Sequence, residues 1–128
     1  MNNEDGAIIF IPRRTKERSY LREVTFHELA HAYAHWFKLP KYIYKVFGEF
    51  KDMSYLEYQY RIIKHYSGEP REGNISRYSE VSPEEDFAET FSFVVNGRKS
   101  FNGYKVDLSC DKLLSKKVKA VKRLLRIS

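Results

Sequence analysis

The sequence predicts an α+β fold that is mainly helical: one long helix packed on a second, Glu-bearing helix, with a small or vestigial sheet. Three observations carry this. Thr15 to Phe37 contains neither Gly nor Pro, and Tyr20, Val24, His27, His31 and Ala34 recur at helical spacing. Ser82-Pro83-Glu84-Glu85 is a helix start, with Ser82 as N-cap and Pro83 as the first helical residue. Ahead of the long helix a single segment, Ala7-Ile8-Ile9-Phe10-Ile11, reads as a strand, apolar and β-branched and closed by Pro12.

The elements follow in order. Leu39-Pro40 ends the long helix. Residues 41–66 are dense in Tyr, Phe, Ile and Lys, and Gly48 divides them into helices over about 41–47 and 52–66. Ser67 to Asn74, with Gly68, Pro70 and Gly73, is a loop, and Ile75 to Val81 is expected to be extended. The helix starting at Ser82 runs to about Val95 with Phe87, Ala88, Phe91, Val94 and Val95 as its core stripe, and Asn96-Gly97 stops it. A last helix spans about Cys110 to Leu125. Leu113, Leu114, Val118, Val121 and Leu125 face inward, and Lys112, Lys116, Lys119, Lys122 and Arg123 face out.

The 128 residues fit one domain, 1–128, and an apolar fraction of 42% is enough for one core. The formal charge is +6, with 23 basic and 17 acidic residues. Much of that surplus lies on the terminal helix, where a solvated face accounts for it, so nucleic acid is not an expected partner. The single cysteine, Cys110, excludes an internal disulfide and a thiolate zinc cluster. No apolar run is long enough to span a bilayer. Met1-Asn2-Asn3-Glu4-Asp5 lacks the basic start and apolar block of a signal peptide, so cytoplasmic residence is the default expectation. Nothing in the pattern speaks to oligomeric state.

The chemistry is concentrated in His27-Glu28-Leu29-Ala30-His31, an HExxH motif on the long helix. Two histidines four apart lie one turn apart on one face, so both imidazoles can reach one zinc ion at about 2.0–2.1 Å. Glu28, rotated by roughly 100° about the axis, points beside the metal. There it can take a proton from zinc-bound water, which makes it the candidate catalytic base. Ala30 and Ala34 flank the histidine face and leave room for a second helix. A catalytic zinc keeps three protein ligands and one open position. His35 is a poor third ligand, because His27 and His35 lie about 12 Å apart along a straight helix; it reads as a packing or surface residue. His65 has no supporting pattern. An acidic ligand from Glu84-Glu85-Asp86-Phe87-Ala88-Glu89 is the better source. Glu85 and Glu89 share a face, so one can bind the metal while the other accepts the free ring N–H of a ligating His. Ser82-x-x-Glu85 is also a capping box, which accounts for Glu85 without any metal but leaves Glu89 unexplained.

HELAH, followed by Arg77-Tyr78-Ser79 and then Pro83-x-Glu85-Asp86-Phe87-Ala88-Glu89-Thr90-Phe91, resembles the catalytic domain of the anthrax lethal factor class of gluzincin metallopeptidases over about residues 20–95. The resemblance implies a minimal zincin-like domain with His27, His31 and Glu85 as ligands of one zinc ion. It places Glu89 in the supporting shell. Tyr78, seven residues before Glu85, takes the position of the tyrosine that stabilises the oxyanion. The implied activity is hydrolysis of peptide bonds in a peptide or protein substrate by a zinc-bound water activated by Glu28.

Two departures stand out. Ala30 occupies a position where Gly is frequent, and one predicted strand replaces the sheet edge along which zincin peptidases lay their substrate. Two other readings follow. The short cytoplasmic metallopeptidases that cleave phage-type repressors also pair HExxH with an E-x-x-x-F-A segment, at a shorter separation. A degenerate zincin would keep the fold and act as a binding module.

Overall fold

The computed structural model describes residues 18–126. The fold is α+β and mainly helical. Helices α1 (Arg18–Trp36), α2 (Lys41–Phe47) and α3 (Tyr55–His65) are followed by a single 3-10 turn at Tyr78–Glu80. Helix α4 (Pro83–Asn96), a hairpin of β1 (Ser100–Phe101) and β2 (Tyr104–Lys105), and helix α5 (Lys112–Leu125) complete the chain. The strand expected at Ala7–Ile11 lies outside the described residues. Among the described residues no helix is long and apolar enough to cross a membrane.

Local chemistry sets the helix ends. Ser54 caps α3 by accepting from the Glu57 amide at 3.2 Å, and Asp111 caps α5 by accepting from the Leu114 amide at 3.0 Å. Helix α4 begins as the sequence predicts, with Ser82 Oγ accepting from the Glu85 amide at 3.2 Å and Pro83 in the first turn. It ends at Gly97, whose φ of 72° is left-handed.

Helix α4 is the centre of the molecule. Phe87, Ala88, Phe91 and Val94 are buried along it, together with Glu85, Asp86, Thr90 and Ser92. Helix α1 packs along one side of it, with Ala30 fully buried, and α2 and α5 cover other faces with Ile43, Phe47, Val118 and Val121. A small residue at Ala30 permits the close approach of α1 and α4 on which the site depends. Ser92 Oγ donates to the Glu23 carbonyl at 2.7 Å, pinning α4 to the backbone of α1.

Two expectations are corrected. Ile75 to Val81 is not extended. Ser76 Oγ accepts from the Ser79 amide at 3.1 Å and Ser79 Oγ donates to the Ser76 carbonyl at 2.6 Å, and these local bonds curl the segment into the 3-10 turn. Leu113 is half exposed rather than inward, because it lies over Gly73. A Cβ on Gly73, which has φ of 87°, would stand 2.9 Å from Leu113 Cδ2. On α5 the inward polar position belongs to Lys117, only 6% exposed, whose Nζ lies 2.7 Å from Asp86 Oδ2 and donates to the Gly73 carbonyl at 2.6 Å. Burial pushes the Asp86 carboxyl up to about 6, against the opposing pull of Lys117.

The hairpin is an addition. Asn102 and Gly103 have φ of 53° and 84°, the two positive values of a type I′ turn, and Phe101 pairs with Tyr104. The Asn102 amide donates to both oxygens of Glu23 at 3.1 Å, so the turn is tied to α1.

Candidate metal centre

The packing of α1 on α4 brings His27, His31 and Glu85 together. His27 Nε2 and His31 Nε2 are 3.1 Å apart, and each lies 3.0 Å from Glu85 Oε1. Glu85 is 5% exposed, so this convergence is largely shielded from water. Tetrahedral zinc with ligands at about 2.0–2.1 Å sets neighbouring ligand atoms about 3.3 Å apart. The observed triangle is within a few tenths of an ångström of that.

The outer nitrogens are held as well. His27 Nδ1 lies 2.8 Å from Glu89 Oε2, and Glu89 Oε1 accepts from Ser76 Oγ at 2.7 Å. His31 Nδ1 lies 3.1 Å from Glu84 Oε2. When each Nδ1–H is donated outward, both Nε2 lone pairs and Glu85 Oε1 converge. Three acceptors at this spacing need a shared cation or added protons. The donor set therefore fits a divalent zinc ion, and these three residues could hold one.

Burial works against the charged imidazole of His27, but its bonds to Glu85 and Glu89 outweigh it and push the ring up to about 10. His31 is likewise opposed by burial and pushed up to about 9 by Glu84 and Glu85. Glu85 would be raised by burial, yet the two imidazoles hold it well below the usual carboxylate range.

Both oxygens of Glu85 are used inside the site. Oε1 faces the imidazoles, and Oε2 accepts from the Tyr58 hydroxyl at 2.5 Å. Ser82 makes its half of the capping box, while the Glu85 side chain serves the cluster.

A cavity of about 340 Å3 opens beside the triad, lined in part by His27, Glu28, Glu89, Tyr78, Tyr20 and Phe101. Glu28 therefore stands on the cavity side of the helix, one residue from His27. Burial pushes its carboxyl above the ordinary value, and among the described residues its Oε1 is buried with no hydrogen-bond partner. The Tyr78 ring packs edge-on to His27 with centroids 5.9 Å apart. Burial and the Glu85 carboxylate push both the Tyr78 and Tyr58 phenols well above their usual value, so both stay protonated.

The structure thus brings His27, Glu28, His31, Tyr78, Glu85 and Glu89 into one neighbourhood. His35 is exposed beside Trp36, and His65 lies 3.5 Å from Glu80 instead of joining the triad. Sequence reasoning placed Glu84 in the acidic stretch without its bond to His31, and it missed Ser76 and Tyr58, which stand in no spacing relation to either helix motif.

No curated protein and no solved structure matches the chain. A family model described as "Putative zinc-binding metallo-peptidase" matches residues 9–126, which includes every residue of the cluster. The chain belongs to this zinc-binding metallopeptidase family.

Proposed function

We propose that the chain is a zinc metallopeptidase of the gluzincin type, in which His27, His31 and Glu85 hold one zinc ion, Glu28 is the general base and Tyr78 donates to the oxyanion. The observation that carries this reading is the 3.0–3.1 Å convergence of His27 Nε2, His31 Nε2 and Glu85 Oε1 at the wall of a cavity shared with Glu28 and Tyr78. The two-His, one-Glu set with a tyrosine seven residues before the Glu supports the lethal factor class within that type.

Zinc, when bound, lowers the pKa of the attacking water and polarises the scissile carbonyl. Glu28 removes the proton from that water and delivers it to the leaving amine; its raised pKa and unpartnered oxygen suit both transfers. The Tyr78 hydroxyl, protonated at every working pH, donates to the oxygen on which negative charge develops. Glu89 and Glu84 hold the imidazoles in the tautomer that presents Nε2 inward. An extended peptide bound in the cavity lined by Phe101 and Asn102 is the proposed substrate.

The test is the Glu28→Gln variant assayed on a diverse peptide library by mass spectrometry. It is expected to retain one zinc per chain and to lose kcat/KM by about 10²–10⁴-fold. Stoichiometric zinc with no cleavage by the wild type, or equal cleavage by the variant, overturns the reading.

A further inference from the structure

Glu85 presents its two oxygens to different partners. Oε1 lies 3.0 Å from both imidazole nitrogens, whereas Oε2 accepts from the Tyr58 hydroxyl at 2.5 Å. A free carboxylate beside a zinc ion can bind through one oxygen or both. With two imidazoles and one water, the one-oxygen mode gives a four-coordinate, tetrahedral site, and the two-oxygen mode raises the count to five. Something must decide between them.

We propose that Tyr58 is the positioning residue that makes this choice: its hydroxyl occupies Glu85 Oε2 and so holds Glu85 as a one-oxygen ligand. Tyr58 stands on α3, an element that contributes nothing else to the triad. Its donation to Glu85 directs its proton away from Tyr78, whose hydroxyl is 3.4 Å away. The two tyrosines therefore divide the work. Tyr78 lines the cavity and meets the substrate; Tyr58 is absent from the cavity wall and acts through Glu85. Arg61, one turn further along α3, donates to the Val81 carbonyl at 3.2 Å and fixes α3 against the start of α4. This inference rests on the zinc reading of the triad.

The experiment substitutes cobalt(II) for zinc in the full chain and records visible absorption of the wild type, Tyr58→Phe and, as a control on the same helix, the exposed Tyr60→Phe. Geometry controls these bands: four-coordinate cobalt absorbs strongly and five-coordinate cobalt weakly. The wild type and Tyr60→Phe are expected to give the strong spectrum. Tyr58→Phe is expected to give a severalfold weaker one, with zinc affinity reduced about tenfold in chelator competition. An unchanged spectrum in Tyr58→Phe overturns the inference and leaves the zinc site standing. A weak, five-coordinate spectrum in the wild type overturns it without recourse to any variant. Failure of the wild type to bind one cobalt overturns the triad reading and this inference with it.

Discussion

Glu89 Oε2 lies 2.8 Å from Nδ1 of His27, and the Glu89 carboxylate is only 12% exposed. The pair fixes which ring nitrogen of His27 faces the triad. Glu84 does the same for His31 at 3.1 Å, but from a carboxylate that is 45% exposed. A hydrogen bond shielded from water fixes an orientation more firmly than one exposed to it.

The two supporting carboxylates should therefore differ in weight. Glu89→Ala is expected to reduce zinc affinity by about 10–100-fold, and Glu84→Ala by less. Competition with a chromophoric chelator measures both. A larger loss at Glu84 would invert the hierarchy that burial dictates.

Zinc uptake should release protons. In the metal-free chain the imidazoles of His27 and His31 are raised to about 10 and about 9, so both carry a proton at neutral pH that zinc must displace. Zinc affinity is expected to climb steeply from pH 6 to about pH 9, less steeply to about pH 10, and then level off as the rings lose their protons unaided. The metal-free fold behaves in the opposite sense. Folded values above the ordinary imidazole value of about 6.5 give stability that is complete below that pH and is lost as the pH rises through about 9–10. Calorimetry in buffers of different ionisation enthalpy counts the protons, and urea titrations of the chelated protein follow the stability.

The buried pair of Lys117 and Asp86 offers a separate test of the core. Burial pushes Asp86 up to about 6 despite the Nζ at 2.7 Å, so desolvation outweighs the attraction between the two charges. Lys117→Met alone leaves a buried carboxylate without its cation and is expected to cost about 3–5 kcal/mol in urea unfolding. Lys117→Met combined with Asp86→Leu is expected to recover most of that loss.

The hairpin turn is a third site for substitution. Gly103 has φ of 84°, so Gly103→Val is expected to cost about 1–3 kcal/mol in thermal or urea unfolding. Because Phe101 and Asn102 line the cavity, the same change is expected to raise KM for a cleaved peptide while zinc content stays at one per chain.

The residues that the sequence made legible share one property: their relations are local. His27, Glu28 and His31 are related by one helical turn, and Ser82-Pro83 announces α4 within two residues. The same locality explains why helical spacing pairs Glu85 with Glu89 without ranking them, and why the resemblance is what assigns Glu85 to the metal and Glu89 to the support. They share a face, and only the docking of α1 decides which carboxylate meets Nε2 and which meets Nδ1. Tyr58 is one of ten tyrosines, and its approach to Glu85 depends on how α3 lies against α4. The curl at Ser76–Ser79 arises from serine hydroxyls competing with a ladder, in a stretch whose apolar ends, Ile75 and Val81, mimic a strand. The hairpin was legible in principle, since Asn102-Gly103 is a strong turn signal. Its strands of two residues each are too short to show an alternating pattern.

Helix α1 supplies two corners of the triangle and α4 the third, 54 residues beyond His31. A cation held there is consequently also a clasp across the chain. Unfolding with the ion in place would require either tearing a corner away or leaving a closed ring of backbone, whose reduced freedom disfavours the disordered ensemble. The same separation makes loading a late event: until α1 and α4 have docked, the chain offers a chelate of two imidazoles and nothing more. Metal occupancy in this small protein is thereby a report on whether its two central helices have found one another.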